Sequence, residues 1–340
     1  MIAIEHQRYG VPEEVAEARE VAGPGKPEKN EVLIAVEACP INPSDLLRLR
    51  GGYGDSDGSL PAPAGSQGVG RVTEVGQGVT HLKVGDLVAL HTFFAGQGIW
   101  RDSLVHPADR LQTLPEGDIL QLAMISGNPP SAWLLLQNYT ALRPGDWVIQ
   151  NAANSTVGQY LVQLAKALKL NIINVVRRSS AMEVVSAAGA EYVLLSDQPL
   201  RERVLSITGG ELPRLAVDAV AGKSTEALAD CLQEGSTIVS YGLLSGQPCQ
   251  LHPRHPIFRN IRVQGFWLQR WWSETPQEEI NHLMKHLGSL IANGQLKVPV
   301  EAVYPFDQVK EALAHAGSSG RHGKIFLTRT DSRYVPSSQL

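Results

Sequence analysis

The feature that most constrains this fold is a regular alternation of strand and helix patterns between residues 146 and 267. Short runs rich in β-branched residues, such as 147–150, 171–176 and 215–218, are followed by longer segments with helical spacing. Repeated strand–helix units of this kind predict an α/β fold with a parallel, doubly wound sheet.

The flanking sequence has a different character. Residues 1 to about 120 contain short strand patterns between turns, at 31–37, 70–75 and 86–90, which predicts a small barrel or a strongly bent sheet. Helical spacing then covers 120–136. In the alternating region we predict strands at 147–150, 171–176, 192–195, 215–218, 237–240 and 262–267, and helices at 157–168, 182–188, 200–207 and 223–232. A helix at 277–293 and strand-like segments at 298–300 and 324–328 follow, and we expect them to return to the first domain.

Composition excludes several classes of protein. The formal net charge of −4 and the absence of a basic run argue against nucleic acid as a partner. The three cysteines, Cys39, Cys231 and Cys249, are widely spaced, as is typical of reduced cytosolic thiols. The first residues lack the pattern of a signal peptide, and no apolar run reaches membrane-spanning length. We therefore expect a cytoplasmic protein that does not associate with membranes.

The turn after the strand at 147–150 is the first candidate binding site. A strand–turn–helix presents free backbone N–H groups at the helix N-terminus, where a dinucleotide pyrophosphate binds. The three glycine positions of the G-x-G-x-x-G fingerprint hold Ala153, Ser155 and Gly158, so one glycine of three is present. Because Ala and Ser are small, close approach of a pyrophosphate is still possible. The alternative is an ordinary turn with an N-cap.

The next strand ends in Arg177, Arg178 and Ser179. An NAD site usually has Asp or Glu here, to accept a hydrogen bond from the adenosine ribose 2′-hydroxyl. Two guanidinium groups and a hydroxyl suit a 2′-phosphate instead, because arginine binds phosphate bidentately. The pattern predicts NADPH as the cofactor, with two solvated surface arginines as the alternative.

Several segments resemble the medium-chain dehydrogenase/reductase superfamily, and within it the zinc-free mitochondrial-type 2-enoyl thioester reductases. The resemblance extends over nearly the whole chain. It is carried by segments 41–45 (Ile-Asn-Pro-Ser-Asp), 52–54, 65–70, 98–100, 128–129, 150–155 (Gln-Asn-Ala-Ala-Asn-Ser), 174–177, 241–242 and 265–268 (Gly-Phe-Trp-Leu). Many zinc-free quinone reductases share the first pieces, whereas 150–155 and 265–268 are more particular to the enoyl reductases.

The resemblance implies a GroES-like β-barrel catalytic domain at 1–124 and 268–340, and a Rossmann NADPH-binding domain at 125–267. It also implies a homodimer joined through the nucleotide-domain sheets, near 262–267. The implied cofactor contacts are Asn128, Asn154, Ser155, Thr156, Val157, Arg177, Arg178, Ser179, Tyr241, Gly242, Leu243, Leu244, Phe266, Trp267, Leu268 and Lys324.

The chain departs from the family pattern at three places. Thr156 follows Ser155 where the family often has glycine, the loop at 55–59 is polar and slightly longer than expected, and the tail from 331 has no counterpart. The loop borders the expected substrate site, so the departure bears on the identity of the substrate.

The zinc ligands of the alcohol dehydrogenases in this superfamily are replaced. Asn42 stands in place of the cysteine, and Ser66 and Gln67 stand in place of the histidine and glutamate of Gly-His-Glu. Neither serine nor glutamine is a competent zinc ligand. We therefore predict no metal, and expect hydrogen-bond donors to polarise the substrate carbonyl.

The implied reaction is hydride transfer to the β-carbon of an α,β-unsaturated thioester, followed by protonation of the α-carbon. It needs an oxyanion donor and a general acid. Tyr53, which matches the family's catalytic tyrosine, is the candidate acid, and Asn42 and Trp100 are candidate members of the site. Asn42 would donate to the substrate carbonyl or orient a water, and Trp100 would line an acyl channel or pack in the barrel core.

The substrate is expected to be a small molecule, carried on coenzyme A or on an acyl carrier protein. Four arginines are candidates for contacts with the carrier's phosphates, with solvated surface as the alternative: Arg48, Arg50, Arg101 and Arg270. Two other functions remain open. One is an NADPH:quinone oxidoreductase with the same fold and cofactor, and the other is a non-enzymatic NADPH-binding sensor.

Overall fold

The computed structural model describes residues 1–54, 60–92 and 98–329. The described chain forms two compact units, one of residues Met1–Gly127 together with the chain from Trp272 onward, and one of Asn128–Trp271. The loop at 55–59 and the tail from 331 lie outside the described residues.

The strands are numbered in chain order. They are β1 (Ile2–His6), β2 (Ala16–Glu20), β3 (Glu31–Pro40), β4 (Ala62–Pro63), β5 (Gln67–Val75), β6 (Leu87–His91), β7 (Ser103–Pro107), β8 (Trp147–Gln150), β9 (Asn171–Val176), β10 (Tyr192–Leu195), β11 (Leu215–Asp218), β12 (Thr237–Ser240), β13 (Arg262–Gly265), β14 (Val300–Pro305) and β15 (Lys324–Thr328).

The α-helices are numbered in the same way. They are α1 (Pro12–Val15), α2 (Pro43–Leu49), α3 (Ile119–Leu122), α4 (Asn128–Gln137), α5 (Thr156–Ala167), α6 (Met182–Ala187), α7 (Leu200–Thr208), α8 (Lys223–Asp230), α9 (Arg254–Arg259), α10 (Leu268–Glu274), α11 (Gln277–Ala292) and α12 (Val309–Gly317). Short 3-10 helices occupy Ala108–Arg110, Ser179–Ala181 and Phe306–Gln308.

The unit Asn128–Trp271 contains one parallel sheet of six strands in the order β10-β9-β8-β11-β12-β13. The strand order reverses between β8 and β11, so the carboxyl ends of these two strands form a topological switch point, where ligands bind in doubly wound sheets. The predicted α/β fold and its strand–helix alternation are confirmed in this unit. The central strands β8 and β11 are buried along their whole length, as is typical of a parallel sheet covered by helices on both faces.

One helix prediction was wrong. The helical spacing at 120–136 predicted one helix, but the structure has α3 and α4, separated by turns at 123–127. Pro129 and Pro130 explain the break, because proline lacks an N–H group and its ring clashes with the carbonyl four residues earlier. Proline is tolerated in the first turn of a helix, and α4 begins immediately before Pro129.

The unit of residues 1–127 and 272 onward is built around β3. This strand pairs antiparallel with β5, β7 and β15, within a sheet ordered β14-β15-β3-β5-β6. Val32, Ile34 and Val36 alternate along β3 and are fully buried in one apolar core, as expected for a strand with one face on the core. The pairing of β3 with β15 brings the turn after β3 close to β15, the last strand of the described residues.

No helix among the described residues combines the length and the apolar character that a membrane span requires.

Candidate active site

The turn after β8 brings the backbone of the chain unusually close to itself. A Cβ built on Gly158 would lie 2.5 Å from the carbonyl oxygen of Ala153, so only glycine fits there. Ala152 has a positive φ of 46°, and Ser155 caps α5 by accepting a hydrogen bond from the Gly158 N–H at 3.1 Å. The turn therefore has a capped helix N-terminus, where a pyrophosphate can bind, and a backbone packed so closely that position 158 requires glycine.

A buried carboxylate organises the neighbouring strand end. Asp218, at the end of β11, accepts hydrogen bonds from the Asn151 amide at 2.6 Å and from the Thr225 hydroxyl at 2.6 Å. The backbone N–H groups of Val220 and Ala221 donate to the same carboxylate, each at 2.9 Å. A buried charge with this many donors is compensated, and it fixes the chain that leaves β11.

The chain after β12 approaches the same turn. A Cβ on Gly242 would lie 2.6 Å from the carbonyl oxygen of Ala219. Burial raises the pKa of Tyr241, a hydrogen bond with the Ser155 side chain acts in the opposite direction, and the Asp218 charge raises it further. Tyr241 and Ser155, both predicted to contact the cofactor, are thus brought together at the switch point of the sheet.

The two arginines predicted to bind a 2′-phosphate lie on the surface, at the end of β9. Arg177 and Arg178 directly follow the buried end of β9; Arg177 is exposed and Arg178 is half-buried. Ser179 begins the 3-10 turn that leads into α6 and is also exposed. Within the described residues neither guanidinium takes part in an ion pair, so both are available to an anionic ligand.

The remaining predicted cofactor residues of this unit lie at element ends. Asn128 begins α4, and Leu243, Leu244 and Trp267 are exposed apolar side chains on loops. Phe266 packs edge-to-face on Tyr139, with ring centroids 6.4 Å apart. Asn154, Thr156, Val157 and Leu268 complete the set, in the turn before α5, in its first turn and at the start of α10.

In the other unit, two predicted residues from opposite ends of the chain are in contact. The Lys324 ammonium on β15 donates to the Oδ1 atom of Asn42, at the N-terminus of α2, and both side chains are buried. Asp45 accepts from the Asn42 backbone N–H at 2.8 Å and from the Ser66 hydroxyl at 2.6 Å.

The charges in this cluster change its protonation equilibria. Burial lowers the pKa of Lys324 to about 7; the nearby Asp45 carboxylate opposes this change, and Arg321 adds to it. Burial also raises the pKa of Asp45, while hydrogen bonds from Ser66 and the Asn42 backbone lower it. A donor-rich, buried polar site results, with a lysine that titrates near neutral pH.

Tyr53 lies close to this cluster in sequence but differs from it in burial. The side chain is half-buried, and the Arg48 guanidinium carbon stands 4.5 Å from the centre of its ring, a cation–π contact. Of the four candidate carrier arginines, Arg48 is therefore engaged with Tyr53. Arg101 is partly buried, whereas Arg50 is exposed.

Trp100 is in the barrel core, at 1 % exposure, and it also lines a small pocket. The pocket has a volume of about 120 Å³ and is bordered by His6, Asp45, Arg48, Gly65 and Trp100 among others. The indole Nε1 has no hydrogen-bond partner among the described residues. Trp100 is therefore a core residue that also borders a small pocket, and its place in an acyl channel stays a prediction.

Comparison with known proteins identifies the family. Residues 28–116 match the alcohol dehydrogenase GroES-like domain family, and residues 156–287 match the zinc-binding dehydrogenase family. The chain is 36% identical over 317 residues to the mitochondrial enoyl-[acyl-carrier-protein] reductase of Xenopus tropicalis, covering 91% of this chain and 89% of the relative. The chain belongs to the medium-chain dehydrogenase/reductase superfamily.

Solved structures of the superfamily share the fold over nearly the full length. Escherichia coli quinone oxidoreductase complexed with NADPH is 30% identical and matches with a TM-score of 0.85, covering 96% of this chain and 100% of that chain. The Etr1p/NADP/crotonyl-CoA complex is 28% identical, with a TM-score of 0.83 over 96% of this chain and 99% of that chain. Etr1p is a mitochondrial 2-enoyl thioester reductase of Candida tropicalis, also solved as a heterodimer with Etr2p. The predicted resemblance and fold class are confirmed, including the Rossmann and GroES-like parts.

The superfamily includes zinc enzymes, but the donor set of this chain does not fit zinc at the corresponding place. The Asn42 oxygen faces the Lys324 ammonium, and the Ser66 hydroxyl donates to Asp45, so neither offers a free anionic ligand. Elsewhere in the described chain Glu226, Asp230 and His255 come together. Arg254 occupies that group, donating to Asp230 at 2.5 Å.

Residues missed by the sequence analysis include Asp45, Asn151 and Asp218. A local signal was present for Asp45, because Asn-Pro-x-Asp at 42–45 is the pattern of a helix start with a reciprocal cap. No local signal joined Asn151 with Asp218, which lie 67 residues apart in sequence.

Proposed function

We propose that this protein is an NADPH-dependent reductase of α,β-unsaturated (2-enoyl) thioesters. The observation that carries the proposal is the 36% identity to an enoyl-[acyl-carrier-protein] reductase across 89% of that protein's length. The site is consistent with it, since the chain has a phosphate-binding turn, a pair of accessible arginines and a buried donor cluster.

The residues that would hold the cofactor are those of the turn after β8 and the end of β9. The N-terminus of α5 would bind the pyrophosphate, and Arg177, Arg178 and Ser179 would bind the 2′-phosphate. NADPH and NADP are the nucleotides in the E. coli and Etr1p structures. When bound, the cofactor supplies the hydride that adds to the β-carbon. We assign nucleotide binding to the predicted domain 125–267 and catalysis to 1–124 with 268–340.

The protein's own groups would complete the reduction. The Nδ2 group of Asn42 would donate a hydrogen bond to the thioester oxygen, where negative charge develops. Tyr53 would donate a proton to the α-carbon, because its phenol hydroxyl carries a transferable proton. Trp100 would border the acyl group. We expect coenzyme A or an acyl carrier protein to carry that group, as the relatives' names indicate for those proteins.

An open sheet edge supports a homodimer as the oligomeric state. Within the described chain β13 pairs only with β12, and all four of its residues are exposed. Beside it, Ile257 and Phe258 on α9 are 67 % and 78 % exposed. An exposed strand edge next to apolar side chains favours pairing with another chain, so we propose a homodimer joined at β13.

The cytoplasmic location remains a prediction, and the curated relatives are mitochondrial proteins.

A labelled-product experiment tests the proposed reaction. Crotonyl-CoA and NADPH are incubated with the protein in D₂O, and the product is analysed by mass spectrometry. The proposal predicts butyryl-CoA with one deuterium at the α-carbon and none at the β-carbon. Absence of butyryl-CoA, with NADPH binding intact, would refute the assignment.

An NADPH:quinone oxidoreductase is the second candidate. The observation that favours it is the TM-score of 0.85 with E. coli quinone oxidoreductase, over the whole of that chain. This function uses the same nucleotide turn and the same arginines, and it needs no proton donor to carbon. Dependence of the rate on Tyr53 therefore separates the two functions.

A further inference from the structure

The contact between Lys324 and Asn42 fixes the orientation of an amide. Lys324 Nζ donates to the Asn42 Oδ1 atom, and because a protonated lysine has only donors, the amide atom that faces it is the oxygen. The Nδ2 group of Asn42 is consequently turned away from Lys324. It is buried and has no hydrogen-bond partner among the described residues.

This arrangement is costly unless a ligand completes it. A buried donor without a partner destabilises the folded protein, and such groups in native proteins are exceptions that call for a specific explanation. The backbone of Asn42 is held by Asp45, which in turn is held by Ser66. Since Lys324 and Asn42 are only 4 % and 5 % exposed, water offers little compensation. The whole cluster keeps the unpartnered N–H pair in one direction.

We propose that Lys324 is a positioning residue, which holds the Asn42 carboxamide so that its Nδ2 group donates to the reacting carbonyl oxygen of the substrate. The inference rests on the proposed function only for the identity of that oxygen. In this role Lys324 acts through Asn42, and its loss releases the amide to rotate and to present its oxygen. An oxygen directed at a developing oxyanion would repel it.

The family resemblance implies a different role for Lys324, direct contact with the cofactor. The two roles predict different effects of a Lys324 substitution in a protein that already lacks Asn42. A residue that acts through Asn42 loses its effect once Asn42 is removed, whereas a direct cofactor contact contributes independently. Double-mutant cycles measure this difference.

The test compares Lys324→Met, Asn42→Ala and the double variant, with the exposed Lys310→Met in the same unit as the matched control. Steady-state kinetics give kcat and KM with crotonyl-CoA, and fluorescence titration gives the Kd for NADPH. Loss of an oxyanion donor lowers kcat about 100- to 1000-fold, so we expect Asn42→Ala to lie near this range and Lys324→Met about tenfold below wild type. The double variant should be no slower than Asn42→Ala, and the Kd for NADPH should change less than twofold throughout. Multiplicative losses, or a Kd that rises as much as kcat falls, would overturn the inference.

Asn42→Asp tests whether Lys324 positions Asn42 or whether Asn42 only supports Lys324. Aspartate has the shape of asparagine and keeps an oxygen on Lys324, but it has no N–H to donate. We expect kcat to fall as far as in Asn42→Ala, and a wild-type kcat would overturn the inference by showing that Asn42 only supports Lys324.

Failure of the proposed function can be told apart from failure of this inference. If wild type reduces 1,4-benzoquinone and not crotonyl-CoA, the thioester assignment is wrong. The double-mutant cycle of Lys324→Met and Asn42→Ala is then measured with 1,4-benzoquinone as the substrate, whose carbonyl oxygen takes the place of the thioester oxygen. If neither substrate turns over, the side-chain ¹⁵N–¹H signals of Asn42 provide the readout. They should shift in Lys324→Met and stay in place in Lys310→Met; unchanged signals in both variants would overturn the positioning role.

Discussion

Gly158 approaches Ala153 so closely that a Cβ at position 158 would stand 2.5 Å from the Ala153 carbonyl oxygen. The contact joins the end of β8 to the first turn of α5, and it brings the helix N-terminus close to the turn. Glycine is thus required sterically at position 158, whereas the other two fingerprint positions hold alanine and serine.

Gly158→Ala should displace the first turn of α5 and weaken cofactor binding. We expect the Kd for NADPH to rise at least about tenfold, since about 1.4 kcal/mol of lost interaction has that effect. Gly317→Ala is the control, because a Cβ there meets no atom within 4 Å. Equal NADPH affinities for the two variants, measured by titration calorimetry, would contradict the role of this turn.

Arg177→Ala and Arg178→Ala should weaken binding of NADPH and leave NADH binding nearly unchanged. Hydrogen bonds to charged groups contribute about 1.5–3 kcal/mol, which predicts a rise in the NADPH Kd of roughly tenfold or more for each. Arg203→Ala, on α7 of the same unit, serves as the control. If NADH binds wild type as tightly as NADPH does, the 2′-phosphate assignment is wrong.

Lys324 should make stability rise with pH above neutrality. The folded pKa is lowered to about 7 from an ordinary value of 10.5, so between these values the unfolded chain binds a proton that the folded protein does not. Unfolding then becomes less favourable as pH rises, by up to about 1.4 kcal/mol per pH unit. Urea denaturation at about pH 7 and pH 9 should show this gain in wild type and not in Lys324→Met. A constant difference in unfolding free energy between the two proteins would contradict the lowered pKa.

His91 should make stability rise with pH on the acid side as well. Burial, with the nearby charges of His106 and Arg110, lowers its pKa to about 3, and its ring packs on Trp272 at 4.4 Å between centroids. Below its ordinary pKa of about 6.5 the unfolded chain takes up a proton that the folded protein excludes, so stability is lost as pH falls. His91→Phe keeps a ring against Trp272 and should lose less unfolding free energy between about pH 7 and pH 5. The exposed His282→Asn is the control, and equal slopes for His91→Phe and wild type would refute the prediction.

The β13 edge should control the oligomer. Phe258→Asp combined with Val263→Asp places charges on exposed apolar positions at this edge, and a charge inside a dimer interface is costly to bury. Light scattering coupled to size exclusion should give a dimer for wild type and a monomer for this variant. Val84→Asp, exposed in the other unit, should leave the mass of the dimer unchanged. A dimeric double variant would place the interface elsewhere.

How far the sequence predicts this protein depends on the range of each interaction. The strands β8 to β12 and the helices between them follow from local periodicity, and so do the turn before α5 and the arginines after β9. The break at 123–127 required weighing two prolines against an apolar pattern that continued across them. The Lys324–Asn42 contact spans 282 residues and depends on how β15 pairs with β3, which no local pattern specifies. Side-chain orientation in the buried cluster is therefore a result of the three-dimensional structure.

The most direct test of the enoyl reductase assignment is NADPH oxidation by wild type and Tyr53→Phe, with a trans-2-enoyl-CoA and with 1,4-benzoquinone. Removing a general acid lowers the rate roughly 100- to 10,000-fold, so we expect this loss with the enoyl-CoA, an unchanged NADPH affinity, and wild-type rates in the control Tyr192→Phe. Turnover of the quinone alone, at a rate that Tyr53→Phe does not change, would contradict the assignment.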